Sequence, residues 1–359
     1  MPTPVGLGRL GHRWAGNIRR RNKKRDAHSA RQGRPACQRA TGHWPPLTSP
    51  VFTFTHLSDP HLPLPPVRMH ELLSKRVTGW LSWTRRRRFM LRPDALAATM
   101  ADIGAAKPDH IVVTGDLVNI STVEEFRQAA DWLTRLGPPD HVTAIPGNHD
   151  AYVRTPPGEG FDLWAPYMVG DGAPASARPE FPAVRRRGPV AFVGLSTAVP
   201  MPMLVAAGTL GAEQIARFEA VMRDLAVAGL CRVVLIHHPP QIGGAKPRKA
   251  LTDAAAFRAA VERVGAELVL HGHNHRTQLG RIDTPQGGVP VLGAASASAA
   301  PGTRYGAGGY NLIRVSAQDT GWAIDIEVRT IADDLAGCRT AQRFRLVAPR
   351  PPVAPARAA

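Results

Sequence analysis

The chain has 359 residues, 43% hydrophobic and 6% aromatic, a composition that supports an ordinary soluble core. No apolar run reaches the ~20 residues that a membrane-spanning helix requires, and three widely separated cysteines, Cys37, Cys231 and Cys338, argue against a disulfide framework and for a reducing, cytoplasmic setting. The net charge of +17 suggests a polyanionic partner until it is located: residues 1–50 hold eleven Lys/Arg against one Asp, which is +10 of the total and leaves +7 for the rest.

Residues 1–50 read as a disordered basic head. The run Arg19-Arg20-Arg21-Asn22-Lys23-Lys24-Arg25 has no apolar periodicity, and no secretory h-region accompanies it. An organellar transit peptide, a start codon assigned too far upstream and non-specific nucleic-acid binding are the other readings.

The folded part is expected over 51–335. A strand is predicted at 52–59, then an insert at 62–92. A helix follows at 93–106, with Pro93 in its first turn. A strand spans 110–116, and a helix 122–136 has Ser121 or Thr122 as N-cap and Glu124 and Glu125 in its first turn. A third strand ends at Pro146, and 154–188, rich in Pro, Gly and Arg, shows no clear element. Then come a strand at 190–196, a helix at 212–228, a strand at 232–237 and a helix at 252–264 capped by Thr252 or Asp253. Residues 267–271 lead into a last histidine cluster. Strand-like runs at 289–292, 310–315 and 322–329 follow, then a tail over 336–359 that is loose in its Pro/Ala portion. Early alternation of strand and helix, with strands in succession later, predicts an α/β fold of two sheets with helices outside.

Five clusters punctuate this order: Asp59-Pro60-His61, Gly115-Asp116, Gly147-Asn148-His149-Asp150, His237-His238-Pro239-Pro240 and Gly272-His273-Asn274-His275. Most follow an apolar, β-branched run, so they fall at strand ends, where ligands of open α/β sheets bind. Two Asp, four His and one Asn among them can act as ligands, with a further His beside them. A metal pair clamping an in-line displacement at phosphorus needs such a set: a bridging carboxylate, neutral imidazoles and an amide oxygen. With only oxygen and nitrogen donors, Mn, Fe, Zn, Ni or Co is favoured, and the imidazoles argue against a purely magnesium or calcium cage. On a strand, Asp59 and His61 would point to one face, as would His273 and His275. Pro239 and Pro240 fix where the strand before them ends.

Together these clusters resemble the signature of the calcineurin-like metallophosphoesterase superfamily over about residues 52–331. The wording Gly115-Asp116-Leu117-Val118-Asn119 and His237-His238-Pro239-Pro240 is similar to bacterial class III cyclic-nucleotide phosphodiesterases and their glycerophosphodiesterase relatives. It departs from the protein Ser/Thr phosphatases, which carry Asp-Arg-Gly and Gly-Asn-His-Glu where this chain has Leu117-Val118-Asn119 and Asp150. The resemblance implies an αββα sandwich with its metal site at the C-terminal ends of strands. It implies two divalent or mixed-valence ions (Mn, Fe or Zn), with Asp59, His61 and His275 on the first, Asp116 bridging, and Asn148, His237 and His273 completing the second. His149 would be the unligated histidine facing the phosphoryl group, and the nucleophile a metal-bridging hydroxide. His238 and His271 would be packing or supporting residues.

The implied function is a metal-dependent phosphoric ester hydrolase, in its finer form a phosphodiesterase acting on a small-molecule phosphate ester. A lipid-linked pyrophosphatase of the UDP-diacylglucosamine hydrolase type is the alternative. A basic nucleic-acid-binding protein with a degenerate site is an alternative of another class, against which the intact ligand set argues. The insert 62–92 adds Trp80, Trp83 and the run Arg85-Arg86-Arg87-Arg88. As a helix it would gather Leu73, Val77, Trp80 and Leu81 on one side. It reads as a helix packed on the body with a solvated basic end, a lid over an anionic substrate, or a peripheral membrane contact.

Overall fold

The computed structural model describes residues 50–349. The basic run 19–25, Cys37 and the tail from 350 lie outside the described residues. The first sheet contains β1 (Val51–Leu57), β2 (His110–Val113), β3 (Val142–Ala144), β10 (Gly309–Gln318), β11 (Gly321–Ile331) and β12 (Cys338–Pro349), in the order β12-β11-β10-β1-β2-β3. The second contains β4 (Ala183–Arg187), β5 (Val190–Gly194), β6 (Cys231–Leu235), β7 (Leu268–His271), β8 (Gln278–Thr284) and β9 (Gly287–Gly293), in the order β4-β5-β6-β7-β9-β8. In each sheet the strands that lead to the site are parallel, β1-β2-β3 and β5-β6-β7-β9.

Strand alternation creates the layers. Phe54, Val112 and Ile313 of the first sheet pack against Phe192, Val233 and Leu270 of the second in a core between the sheets. Their neighbours Ile111 and Val113 point outward to Leu96, Ile103, Phe126 and Leu133 of α2 (Pro93–Ala106) and α3 (Val123–Leu136). The single turn α4 (Ala165–Met168) adds Tyr167 and Met168 to that outer layer. Val193, Val234 and Val269 likewise meet Phe218 and Phe257 of α5 (Ala212–Val227) and α6 (Ala254–Val264). Side chains alternate at period two, so a strand covered on both faces reads as a continuous apolar run. Each fully buried large apolar side chain contributes about 1.5–3 kcal/mol. The result is the αββα sandwich.

Local signals set the helix ends. Thr122 caps α3: its hydroxyl accepts from the Glu125 N–H at 3.2 Å, and the Glu125 carboxylate accepts from the Thr122 N–H at 3.0 Å. Asp253 precedes α6 as predicted but makes no cap bond within it. Its carboxylate accepts instead from the N–H groups of Leu210 and Gly211 and from the Thr209 hydroxyl, tying α6 to the loop before α5.

Three strands differ from the sequence reading. β4 lies inside the segment expected to be irregular, β8 precedes the predicted run at 289–292, and β12 occupies residues assigned to the tail. All three are edge strands, whose exposed side tolerates charge and so hides the apolar alternation. On β12 only Phe344 and Ala348 are buried hydrophobics, while Arg343 and Arg345 pair with Glu327 and Asp325 of β11.

Burial opposes the charge on Glu327, yet the Thr340 hydroxyl, Arg343 and Arg329 hold its carboxyl down at about 2. A depressed carboxyl stabilises the fold above its unfolded value, ordinarily ~4.3, and loses that contribution as pH falls through the folded value. Glu327→Gln is expected to lower stability at pH 7 by about 1.5–3 kcal/mol, the range for hydrogen bonds to a charged group. In thermal melts the gap to wild type should shrink as pH falls from about 4.5 toward 2. A gap independent of pH would remove the charge from its cause.

Candidate dinuclear metal centre

The parallel strands β1 and β2 keep their partnership after both have ended. The N–H groups of Asp59, His61 and Leu62 donate to the carbonyls of Gly115, Asp116 and Leu117 at 3.0, 3.1 and 2.9 Å. This aligns the first two clusters side by side. The expectation that Asp59 and His61 share a strand face is corrected here: β1 ends at Leu57, and both residues adopt left-handed backbone with φ of 51° and 39°. His273 and His275 do the same past the end of β7, at 67° and 54°, as does Asp116 at 58°. Left-handed non-glycine residues cost of order 1–3 kcal/mol each and concentrate at functional sites. Strained turns, rather than an extended strand, aim these side chains.

Glycine makes the convergence possible. A Cβ on Gly115, itself at φ 88°, would stand 2.5 Å from the Gly147 nitrogen and 2.8 Å from His237 Nδ1. Only a residue without a side chain allows three loops to meet there. Asp150 organises the same place: its buried carboxylate accepts from the N–H groups of Asp116, Leu117, Val118 and Gly147 at 2.8–3.1 Å. On sequence, Asp150 only distinguished one cluster wording from another.

Two groups of buried ligand atoms result: Asp59, His61 and His275, and Asp116, His237 and His273. In the first, His61 Nε2 lies 3.2 Å from His275 Nε2, and Asp59 Oδ1 lies 3.2 Å from His275 Nε2. In the second, Asn148 Oδ1 faces His237 Nε2 at 3.2 Å and His273 Nδ1 at 2.8 Å. Asp116 Oδ2 spans the two, 3.3 Å from His237 Nε2 and 3.8 Å from His61 Nε2. Burial opposes the charge on Asp116, but the adjacent His237 and His149 hold its carboxyl well below the usual range.

The donor set fits two metal ions. His61 Nδ1 donates to the Val118 carbonyl at 3.1 Å and His237 Nδ1 to the Thr114 carbonyl at 2.7 Å. Both bonds place a proton on Nδ1 and turn Nε2 inward, the arrangement that orients metal-ligating histidines. His238 does not share it. Its Nδ1 pairs with the Thr197 hydroxyl at 2.7 Å and its Nε2 donates to the Ala206 carbonyl at 3.1 Å, so both nitrogens are engaged away from the centre. His271 donates to the Gly272 carbonyl and belongs to neither group.

His149 stands beside the centre without joining either group. Its Nδ1 donates to the Asn119 carbonyl at 2.6 Å, and its ring packs edge-on to His61 at 5.0 Å and stacks on Tyr152 at 5.7 Å. Burial, reinforced by Arg87, lowers its pKa to about 4.

Arg87 is the residue whose role the sequence did not single out. It is 8% exposed, and its guanidinium donates to His61 Nε2 at 2.7 Å and to His149 Nε2 at 3.2 Å. Its neighbours Arg85, Arg86 and Arg88 are exposed. The predicted insert stripe is corrected as well. In α1 (Arg76–Arg85) the buried residues are Gly79 and Trp83, whereas Leu73 is 87% exposed. Gly79 sits directly on Ile120 and Tyr152, and Trp83 joins Leu91 and Ala299 in a small cluster. Gly79 and Trp83 are four apart and share one face of α1, whereas Arg87 lies in the 3-10 turn beyond the end of that helix, so no helical spacing marks it in the sequence. The insert thereby walls one side of a cavity of about 240 Å³ over the centre, which Asp116, Asn148, His149, His273 and His275 also line.

Residues 52–277 match the family described as calcineurin-like phosphoesterase. Among solved structures, the chain is similar to a dimetal phosphatase from Danio rerio, with 14% identity over 82% of this chain and 99% of that one and a TM-score of 0.47. It is also similar to a 5′-nucleotidase precursor from Thermus thermophilus, with 17% identity over 83% of this chain and 54% of that one and a TM-score of 0.45. A calcineurin-like phosphoesterase from Bacillus subtilis shows 12% identity over 83% and 90%, with a TM-score of 0.39. No curated protein matches the chain. With the family match spanning most of the chain and both ligand groups in place, the chain belongs to the calcineurin-like phosphoesterase family, hydrolases that act on phosphoester bonds.

Proposed function

We propose that this protein is a dinuclear-metal phosphodiesterase in which Asp59, His61 and His275 hold one ion, Asn148, His237 and His273 the other, and Asp116 bridges them. One observation carries the reading: Asp116 Oδ2 faces an inward-turned Nε2 of each group, His61 in the first and His237 in the second. Bound ions of the Mn, Fe or Zn kind would polarise the phosphoryl group and activate water. The chain's own residues supply the remainder. Asp59 and Asp116 offset the ionic charge, the backbone bonds to Asp150 fix the loop that carries Asp116, and His149 addresses the phosphoryl oxygens or the leaving oxygen. Preference for diesters rests on the Leu117-Val118-Asn119 and His237-His238-Pro239-Pro240 wording.

The test is turnover of the metal-loaded protein on matched phosphate mono-, di- and pyrophosphate esters, with metal content measured alongside. Higher kcat/KM on diesters supports the reading, and confinement of activity to monoesters overturns it.

A second reading, an amphipathic pyrophosphate ester as substrate with peripheral membrane contact through 62–92, has one supporting observation. Met69, Leu73 and Phe89 of the insert are 80, 87 and 60% exposed, beside exposed arginines. Among the described residues no helix is long and apolar enough to cross a membrane. Replacing Arg85, Arg86 and Arg88 by Ser is expected to weaken sedimentation with acidic liposomes at low salt, since each Arg near an anionic surface contributes about 1 kcal/mol. The effect should fade as salt screens it. Equal sedimentation of both proteins removes this contact.

A further inference from the structure

The cavity over the metal centre holds more positive charge than one scissile diester uses. Lys75, Arg87, Lys249 and Arg304 all line it, and among the described residues Asp116, a metal ligand in the reading above, is the only carboxylate that does. Among the described residues none of the four cations has a carboxylate within ion-pair distance, although other arginines of the body pair closely, such as Arg187 with Asp171 at 2.9 Å and Arg232 with Glu267 at 2.8 Å. Three of the four, Lys75, Arg87 and Arg304, are held by other means. The Lys75 ammonium lies 4.6 Å over the Tyr152 ring, and Tyr152 stacks on His149. The Arg304 guanidinium lies 4.9 Å over the Tyr305 ring, and Tyr305 packs 4.6 Å from His275. Two tyrosines thus connect a cation on each side to a histidine of the centre, and Arg87 stands at the centre itself.

Arg87 sharpens the point. Its bond to His61 Nε2 uses the lone pair that a metal ion would take. With the ion bound, that bond is unavailable and the guanidinium needs another acceptor. A planar guanidinium pairs bidentately with phosphate. The cavity, at about 240 Å³, is smaller than the roughly 300–1,000 Å³ of pockets that enclose a drug-sized ligand. It suits the charged end of a substrate rather than the whole.

We propose that Arg87, Lys249 and Arg304 form an anion subsite that takes a second phosphate group of the substrate, next to the phosphoryl group at the metals. The inference rests on the diesterase reading and narrows it to diesters that carry a further phosphate. Arg87 and Lys249 contact that group, and Arg304 attracts it at the rim.

The experiment compares thymidylyl-thymidine with and without a 5′-phosphate as substrates of the metal-loaded protein. Calorimetric binding of thymidine 3′,5′-bisphosphate and of the two thymidine monophosphates is measured in parallel. In wild type the extra phosphate is expected to raise kcat/KM, and to tighten binding, by tenfold or more. In Arg87→Met and Lys249→Met the gain should fall below threefold while metal content holds. Arg304→Gln, on an exposed residue, should halve the gain at least and serves if Arg87→Met does not fold. Equal turnover of the two dinucleotides together with equal binding of bisphosphate and monophosphates overturns the subsite. If neither dinucleotide is cleaved but the bisphosphate still binds tenfold tighter, the subsite stands and the diesterase reading falls.

Discussion

Asp116→Asn is expected to reduce turnover to background and to lower bound metal from two ions per chain to one or fewer. The reason is charge. Asp116 Oδ2 is the carboxylate oxygen that faces both ligand groups, and Asp59 is the other carboxylate of the centre. Two divalent ions held by imidazoles and an amide need both. A neutral amide leaves Asp59 alone against them, and two unit like charges about 4 Å apart already repel by about 4 kcal/mol at an effective dielectric near 20, a term that is about fourfold larger for a pair of dications. The substitution should spare the fold. Asp116 Oδ1 accepts from the His149 N–H at 2.7 Å, and an asparagine oxygen can keep that bond. Metal analysis, turnover and a melt in chelator check the three claims. Two retained ions with undiminished turnover would remove the bridge.

The sequence exposed the site better than the means by which it is aimed. The ligand clusters were legible because Asp, Asn and His stand directly after apolar runs such as Ile111-Val112-Val113, and apolar runs between layers are unmistakable. The aiming was not. Spacing two apart suggests a shared strand face for Asp59 and His61, but tertiary bonds from their N–H groups to the carbonyls of Gly115 and Asp116 hold them in left-handed turns. Such bonds join residues more than fifty apart and leave no local pattern. The start of α3 is legible to within one residue, Ser121 or Thr122 as cap with Glu125 in the first turn, because a capping box is local. Arg87 was not separable from the three arginines around it by composition, because its burial depends on Gly79 and Trp83 seating α1 against Ile120, Tyr152 and Ala299. The edge strands β4 and β12 escaped for a related reason. Arg185 is buried, yet it satisfies its guanidinium on the carbonyls of Val169, Pro139, Val142 and Pro166, which no reading of charge along the chain anticipates.

His149→Ala should separate chemistry from metal binding. The ring belongs to neither ligand group, so both ions are expected to remain. Its loss should cost roughly 10²–10⁴-fold in kcat, the range for a positioned proton donor. Nδ1 is committed to the Asn119 carbonyl, so any proton given to a leaving oxygen must sit on Nε2, which now accepts from Arg87. With its pKa lowered to about 4 by burial and then by Arg87, the ring is neutral at pH 7 before substrate arrives. Bound phosphate, by attracting Arg87 and adding negative charge, raises the fraction protonated. The active form of a general acid is the protonated one, so wild-type kcat should fall as pH rises through the pKa of the complex. His149→Ala should lack that limb. The variant should also lose less on a 4-nitrophenyl ester than on an alkyl ester, because a good leaving group needs less protonation. Equal losses on both esters with an unchanged pH profile would assign His149 to charge stabilisation instead, and loss of metal would make it a ligand.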